Sequence, residues 1–139
     1  LHGGDETRAR HRGPTNERVE FIADLVKDHP NVYYSLGPTG LSGFKPEHAR
    51  RIPEKAEMMT HLREAFDRDL NKALSDWKTL IEQYPDRFMW ETDRQRPQWA
   101  FDEDVGRLLE EYARSFIGKL APEVREKFAF QNAEKLFLK

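Results

Sequence analysis

From Ala56 to Tyr84 an apolar residue recurs at every third or fourth position: Ala56, Met59, Leu62, Phe66, Leu70, Ala73, Trp77, Leu80 and Tyr84. That spacing lines one side of an α-helix, and charged residues fill the opposite side. With Pro53 suited to a first helical turn, the pattern predicts one long helix over residues 53–83. Two short segments bracket it. Residues 31–36 (Asn-Val-Tyr-Tyr-Ser-Leu) and 87–92 (Arg-Phe-Met-Trp-Glu-Thr) are aromatic and partly β-branched, and they read as strands. Strand, helix and strand at this spacing form a crossover unit, and such units build parallel sheets.

The rest of the chain follows the same alternation. Thr15 or Asn16 can cap a helix over 15–28, with Val19, Ile22 and Val26 as its apolar stripe and Phe21 and Leu25 widening it. Asp28-His29-Pro30 ends it, because proline clashes with a preceding helical turn. Asp102 caps another helix, with Glu103 and Asp104 placed well against its dipole and Val105, Leu108, Leu109, Tyr112 and Phe116 facing inward. Pro122 starts a final helical region over 123–137, with a break near Gln131-Asn132. Residues 3–14, 37–43 and 93–101 read as loops.

Leu1 supplies only a strand end, and two complete strands are fewer than a parallel sheet needs. The opening Leu1-His2-Gly3-Gly4 has no Met and reads as if entered partway along a longer protein. The expectation is a single partial domain of the α/β class spanning 1–139.

Composition narrows the function classes. The chain is 37% hydrophobic and 35% charged, a thin core under a surface richer in charge than the usual 25% or so. A formal net charge of −2 argues against general nucleic-acid binding, which needs a basic surface for phosphates. No stretch approaches the roughly 18 apolar residues of a membrane span, and no basic leader precedes an apolar run. The absence of cysteine removes disulfides and thiolate metal sites, and a cytoplasmic location is expected.

In parallel α/β folds, ligands sit outside the carboxyl ends of the strands. Three places here have that position: His2 with Gly3-Gly4, the Gly-rich segment 37–43, and Asp93 after the strand 87–92. With the strands side by side, His2 and Asp93 share a rim, where an imidazole and a carboxylate can coordinate a divalent metal or activate water. Taken alone, each has a plainer reading. A histidine near a terminus is commonly solvated, and an aspartate after a strand is commonly a turn or cap residue. The segment 37–43 lacks the Gly-Lys-Ser/Thr ending of a phosphate loop, and His11, His29, His48 and His61 show no metal-ligand spacing.

The run from Trp77 to Asp93, which ends Trp90-Glu91-Thr92-Asp93, resembles the closing strand of the amidohydrolase superfamily. The likeness is to its branch of metal-dependent hydrolases and decarboxylases related to aminocarboxymuconate decarboxylase, where the eighth strand ends in Gly-Thr-Asp or Gly-Ser-Asp. His2-Gly3-Gly4 is similar to that branch's sixth-strand His-Gly-Gly, and Asn132-Ala133 with Leu136-Phe137 to its terminal Asn-Ala-x-x-Leu-Phe helix. The resemblance implies strands six to eight, with their helices, of a (β/α)8 TIM barrel.

It also implies roles. Asp93 would contact the metal and take a proton from bound water, and His2 would polarise or protonate the substrate. Zinc is the implied metal, since lowering the pKa of bound water toward about 7 makes a nucleophile at neutral pH. Trp90 would wall the substrate pocket and Trp99 would cover it. The substrate would be a small carbonyl or carboxylate compound. The first-strand His-x-His and fifth-strand His have no counterpart in these residues, so activity is expected of the whole enzyme and not of this chain alone. Glu91 stands where the family has glycine, bringing a second carboxylate close to the metal position.

Two other readings stay open. One is a non-catalytic half-barrel that pairs with a second copy of itself rather than with the missing N-terminal half. The other is a helical interaction module built on the long helix.

Overall fold

Three short strands lie side by side in the order in which the chain makes them. A computed structural model describes residues 2–3, 15–38, 54–92 and 102–138. Strand β1 (His2–Gly3) runs parallel to β2 (Tyr34–Leu36), with His2 in register with Ser35 and Gly3 with Leu36. Strand β3 (Phe88–Trp90) lies parallel on the other side of β2, pairing Tyr34 with Phe88, Ser35 with Met89 and Leu36 with Trp90. The ladder runs one residue further each way, through Tyr34 N–H to Arg87 O at 2.9 Å and Glu91 N–H to Leu36 O at 3.0 Å.

Helix α1 (Thr15–Asp28) ends at the residue before His29-Pro30, as the proline requires. Helix α2 (Lys55–Gln83) carries the long apolar stripe, with Met58, Leu62, Leu70, Ala73, Trp77 and Leu80 buried along it. Helix α3 (Glu103–Gly118) starts at Asp102, whose side chain accepts from Asp104 N–H at 3.0 Å and Val105 N–H at 3.3 Å. Helix α4 (Pro122–Glu126) leads through a π-helical turn (Lys127–Gln131) into α5 (Asn132–Phe137).

The strands are shorter than their composition suggests, and Arg87 accounts for much of the difference. Its Nε donates to Val32 O at 2.7 Å, its Nη2 donates to His29 O, and its guanidinium lies 5.4 Å from the centre of the Tyr33 ring. The turn at 29–32, closed by Val32 N–H to His29 O at 3.1 Å, is therefore held against the start of β3. The last helix differs too: the chain widens near 131 and does not break. Val124, Phe128 and Asn132 are all buried at intervals of four. In an α-helix that spacing drifts by about 40° per step, and a wider turn cancels the drift.

The core lies between one face of the sheet and the helices. Tyr34 stacks on Trp77 with ring centroids 5.9 Å apart and meets Phe88 edge-on at 6.0 Å. Trp90 and Phe116 both pack on Phe128, at 6.2 and 6.0 Å. The chain returns from helix to strand through short segments, 29–33 and 84–87.

Candidate functional site

Side chains alternate across a strand, so the sheet has two distinct faces. Tyr34, Leu36, Phe88 and Trp90 meet the helices. Ser35, Met89 and Glu91 belong to the opposite face, and one contact joins them across strands: Ser35 Oγ–H donates to Glu91 Oε2 at 2.7 Å. Ser35 and Glu91 are both half-buried, and Met89 is buried. The hydroxyl of β2 thus fixes the carboxylate that follows β3 at the carboxyl end of the sheet. His2 stands in register with Ser35 and Met89, two strands from Met89 and about 10 Å away across the sheet.

Of the residues expected from sequence, His2 lies on β1 at this end. Asp93 and Trp99 lie outside the described residues, and Thr92 is the last one described after β3. Residues 39–43 of the Gly-rich segment also lie outside them. Trp90 sits on the helical side, against Phe128, where it lines a cleft of about 610 Å³ with Pro38, Thr92, Arg107, Leu109 and Glu110. Trp90 and Glu91 therefore serve opposite sides of the same strand end.

Two groups hold the ends of the site's elements. Asn132, 3% exposed, donates from Nδ2 to Pro85 O at 2.8 Å and to Phe88 O at 2.7 Å, and so ties the last helix to the entry of β3. Lys55, at the start of α2, lies 2.8 Å from Asp102 Oδ2 and 2.6 Å from Asp104 Oδ2, and so links the beginnings of α2 and α3. Its hydrogen bonds to those two carboxylates raise the Lys55 pKa, and the Lys55 ammonium lowers that of Asp102.

Ser35 could have been found in the sequence, because strict alternation puts it on the face away from Tyr34 and Leu36. The signal for Asn132 was its place four residues after Phe128 in a buried row. Nothing local in the sequence announces that its partners are the carbonyls of Pro85 and Phe88.

The implied zinc meets a donor set of the right chemistry but too few members. Asp93 and at most His2 give a carboxylate and an imidazole, where a catalytic zinc has three protein ligands. Among the described residues, no group of three or more His, Cys, Asp or Glu side chains could hold a metal ion. These residues alone do not fit a catalytic zinc site. Also among the described residues, no helix is long and apolar enough to cross a membrane. Compared with protein-family models, curated proteins and solved structures, the chain matches none of them.

Proposed function

We propose that this chain carries strands six to eight of a metal-dependent, amidohydrolase-type barrel enzyme, a hydrolase or decarboxylase of small carbonyl or carboxylate compounds. The observation that carries the reading is the parallel order β1-β2-β3, with His2 on the first strand and residues 91–92 leaving the third at the same end. Ligand chemistry collects at that end in parallel folds. In this reading Asp93 accepts a proton from the attacking water, and His2 polarises or protonates the substrate. The metal ligands missing here stand on strands outside these residues, so the chain by itself turns nothing over.

Calorimetric titration with Zn²⁺ tests this. The isolated chain is expected to bind zinc weakly, and Asp93→Asn is expected to abolish that binding. Tight stoichiometric binding by the chain, or binding indifferent to Asp93→Asn, overturns the proposal.

A further inference from the structure

The last helical region does not leave its π-helical turn in the register in which it enters. Asn132 N–H donates to Lys127 O, five residues back instead of four. On the outside of the turn, Gln131 Nε2 donates to Glu126 Oε2 at 2.9 Å, again across five residues. In an α-helix residues five apart stand about 140° from each other around the axis, so this pair meets because the turn is wide. One residue more than an α-turn needs is stored between Phe128 and Asn132.

The π form is rare beside the α form, so contacts from elsewhere in the fold must hold it. The loop before β3 supplies them. Asn132 Nδ2 donates to Pro85 O and Phe88 O, and Lys127 Nζ lies 3.0 Å from Asp86 Oδ1. The Lys127–Asp86 pair is exposed and contributes little. The buried amide of Asn132 is the main polar hold.

Closing the turn to the α form would rotate everything after it by about 100° around the helix axis. The sequence provides for that second register. Gln131 carries the same amide on a longer stem and would take the place of Asn132. Leu138, now exposed, would come round to the row of Val124 and Phe128, which Leu136 now extends. Lys135 would turn inward and Ala133 outward.

We infer that the π-helical turn is a register switch: the Asn132 amide, bonded to Pro85 O and Phe88 O, holds α5 one residue out of α-helical register, and its release rotates α5. The receiving carbonyls flank the entry of β3, so the switch ties the register of α5 to the position of that strand. It is independent of the chemistry proposed at the other end of the sheet.

The chain has no cysteine, so single introduced thiols report the rotation. Ala133→Cys and Lys135→Cys are made one at a time in the full chain, and their rates of reaction with a soluble disulfide reagent are followed. Ala133 is half-buried and Lys135 exposed, so the thiol of Lys135→Cys is expected to react faster. Adding Asn132→Ala is expected to slow Lys135→Cys and to speed Ala133→Cys, each several-fold. Deletion of Phe130, which is 46% exposed, removes the extra residue. The shortened chain is expected to fold with an α-turn and with Asn132 in its place, to keep the original order of the two rates, and not to exchange them when Asn132→Ala is added.

Unchanged rates in Asn132→Ala overturn the inference. A rise in both rates does so too, because it reports fraying and not rotation. Should Asn132→Ala fail to fold, the deletion decides: a chain that unfolds without Phe130, or in which the order of the two rates reverses, overturns the inference.

Discussion

Asn132 gives its side-chain amide to two carbonyls, Pro85 O and Phe88 O, from a position that is almost completely buried. Truncation leaves those acceptors without their donor, and an unmet buried acceptor costs more than a typical hydrogen bond contributes. Asn132→Ala is therefore expected to destabilise the chain by about 2–4 kcal/mol in urea unfolding. Asn132→Asp should cost more at neutral pH, because a carboxylate would face both carbonyls. Single residues of this kind were the least legible in the sequence. The polarity of Asn132 reads as an interruption of the apolar row, and only the fold reveals that its partners lie across the molecule. Glu91 was visible as a departure from the pattern it otherwise resembles, but its anchoring by Ser35 depends on β2 and β3 being neighbours.

Elements were far more legible. The extent of α1 and the far end of α2 follow apolar spacing and the prolines at 30 and 85, whereas Thr15 and Asn16, expected as caps, fall inside α1. These signals are local, and local physics sets them. Composition overruns the first of the strands because aromatic and β-branched residues do not encode the Arg87 contacts that hold residues 29–33 outside the ladder. In the sequence the π-helical turn looks like a break for a related reason, since a widened turn and a true interruption disturb the apolar period alike. That turn also carries the ring joining the last helices to the sheet. Phe128 is fully buried and touches the rings of Trp90 and Phe116. Phe128→Ala is expected to cost about 3–5 kcal/mol, measured by equilibrium unfolding, through lost burial and the cavity left behind.

At the scale of the whole molecule, α2 is tied to the turn between α3 and α4 by one polar cluster. Glu82 Oε1 accepts from Lys78 Nζ and, at 2.6 Å, from Ala121 N–H, while Lys78 Nζ also donates to Lys119 O at 2.7 Å. The Lys78 hydrogen bond, aided by the Ala121 N–H, lowers the Glu82 pKa. A carboxylate whose pKa is lower folded than unfolded stabilises the fold above its unfolded value, near 4.3, and loses that contribution as pH falls through the folded value. Unfolding measured between neutral and acidic pH is expected to show stability falling on acidification, with a shallower fall in Glu82→Gln. An identical pH profile in the variant would assign the acid sensitivity to other groups. The alternation of strands and helices, and with it a parallel sheet, was legible from the sequence. The candidate site is another matter: the sequence nominates His2 and Asp93 by their places at strand ends, but Asp93 lies outside the described residues, and the pairing that sets His2 in register with Ser35 is encoded by no local pattern.

Both described returns from helix to strand, 29–33 and 84–87, are short and lie at one end of the sheet. At the return end, Arg87 and Asn132 clamp every connection to backbone carbonyls, so substitutions there alter the framework itself. Because both returns are fixed, β2 and β3 can keep their pairing while residues at the opposite end of the sheet are exchanged. Such a frame can acquire new chemical tastes by swapping its upper edge, with its foundations left as they were.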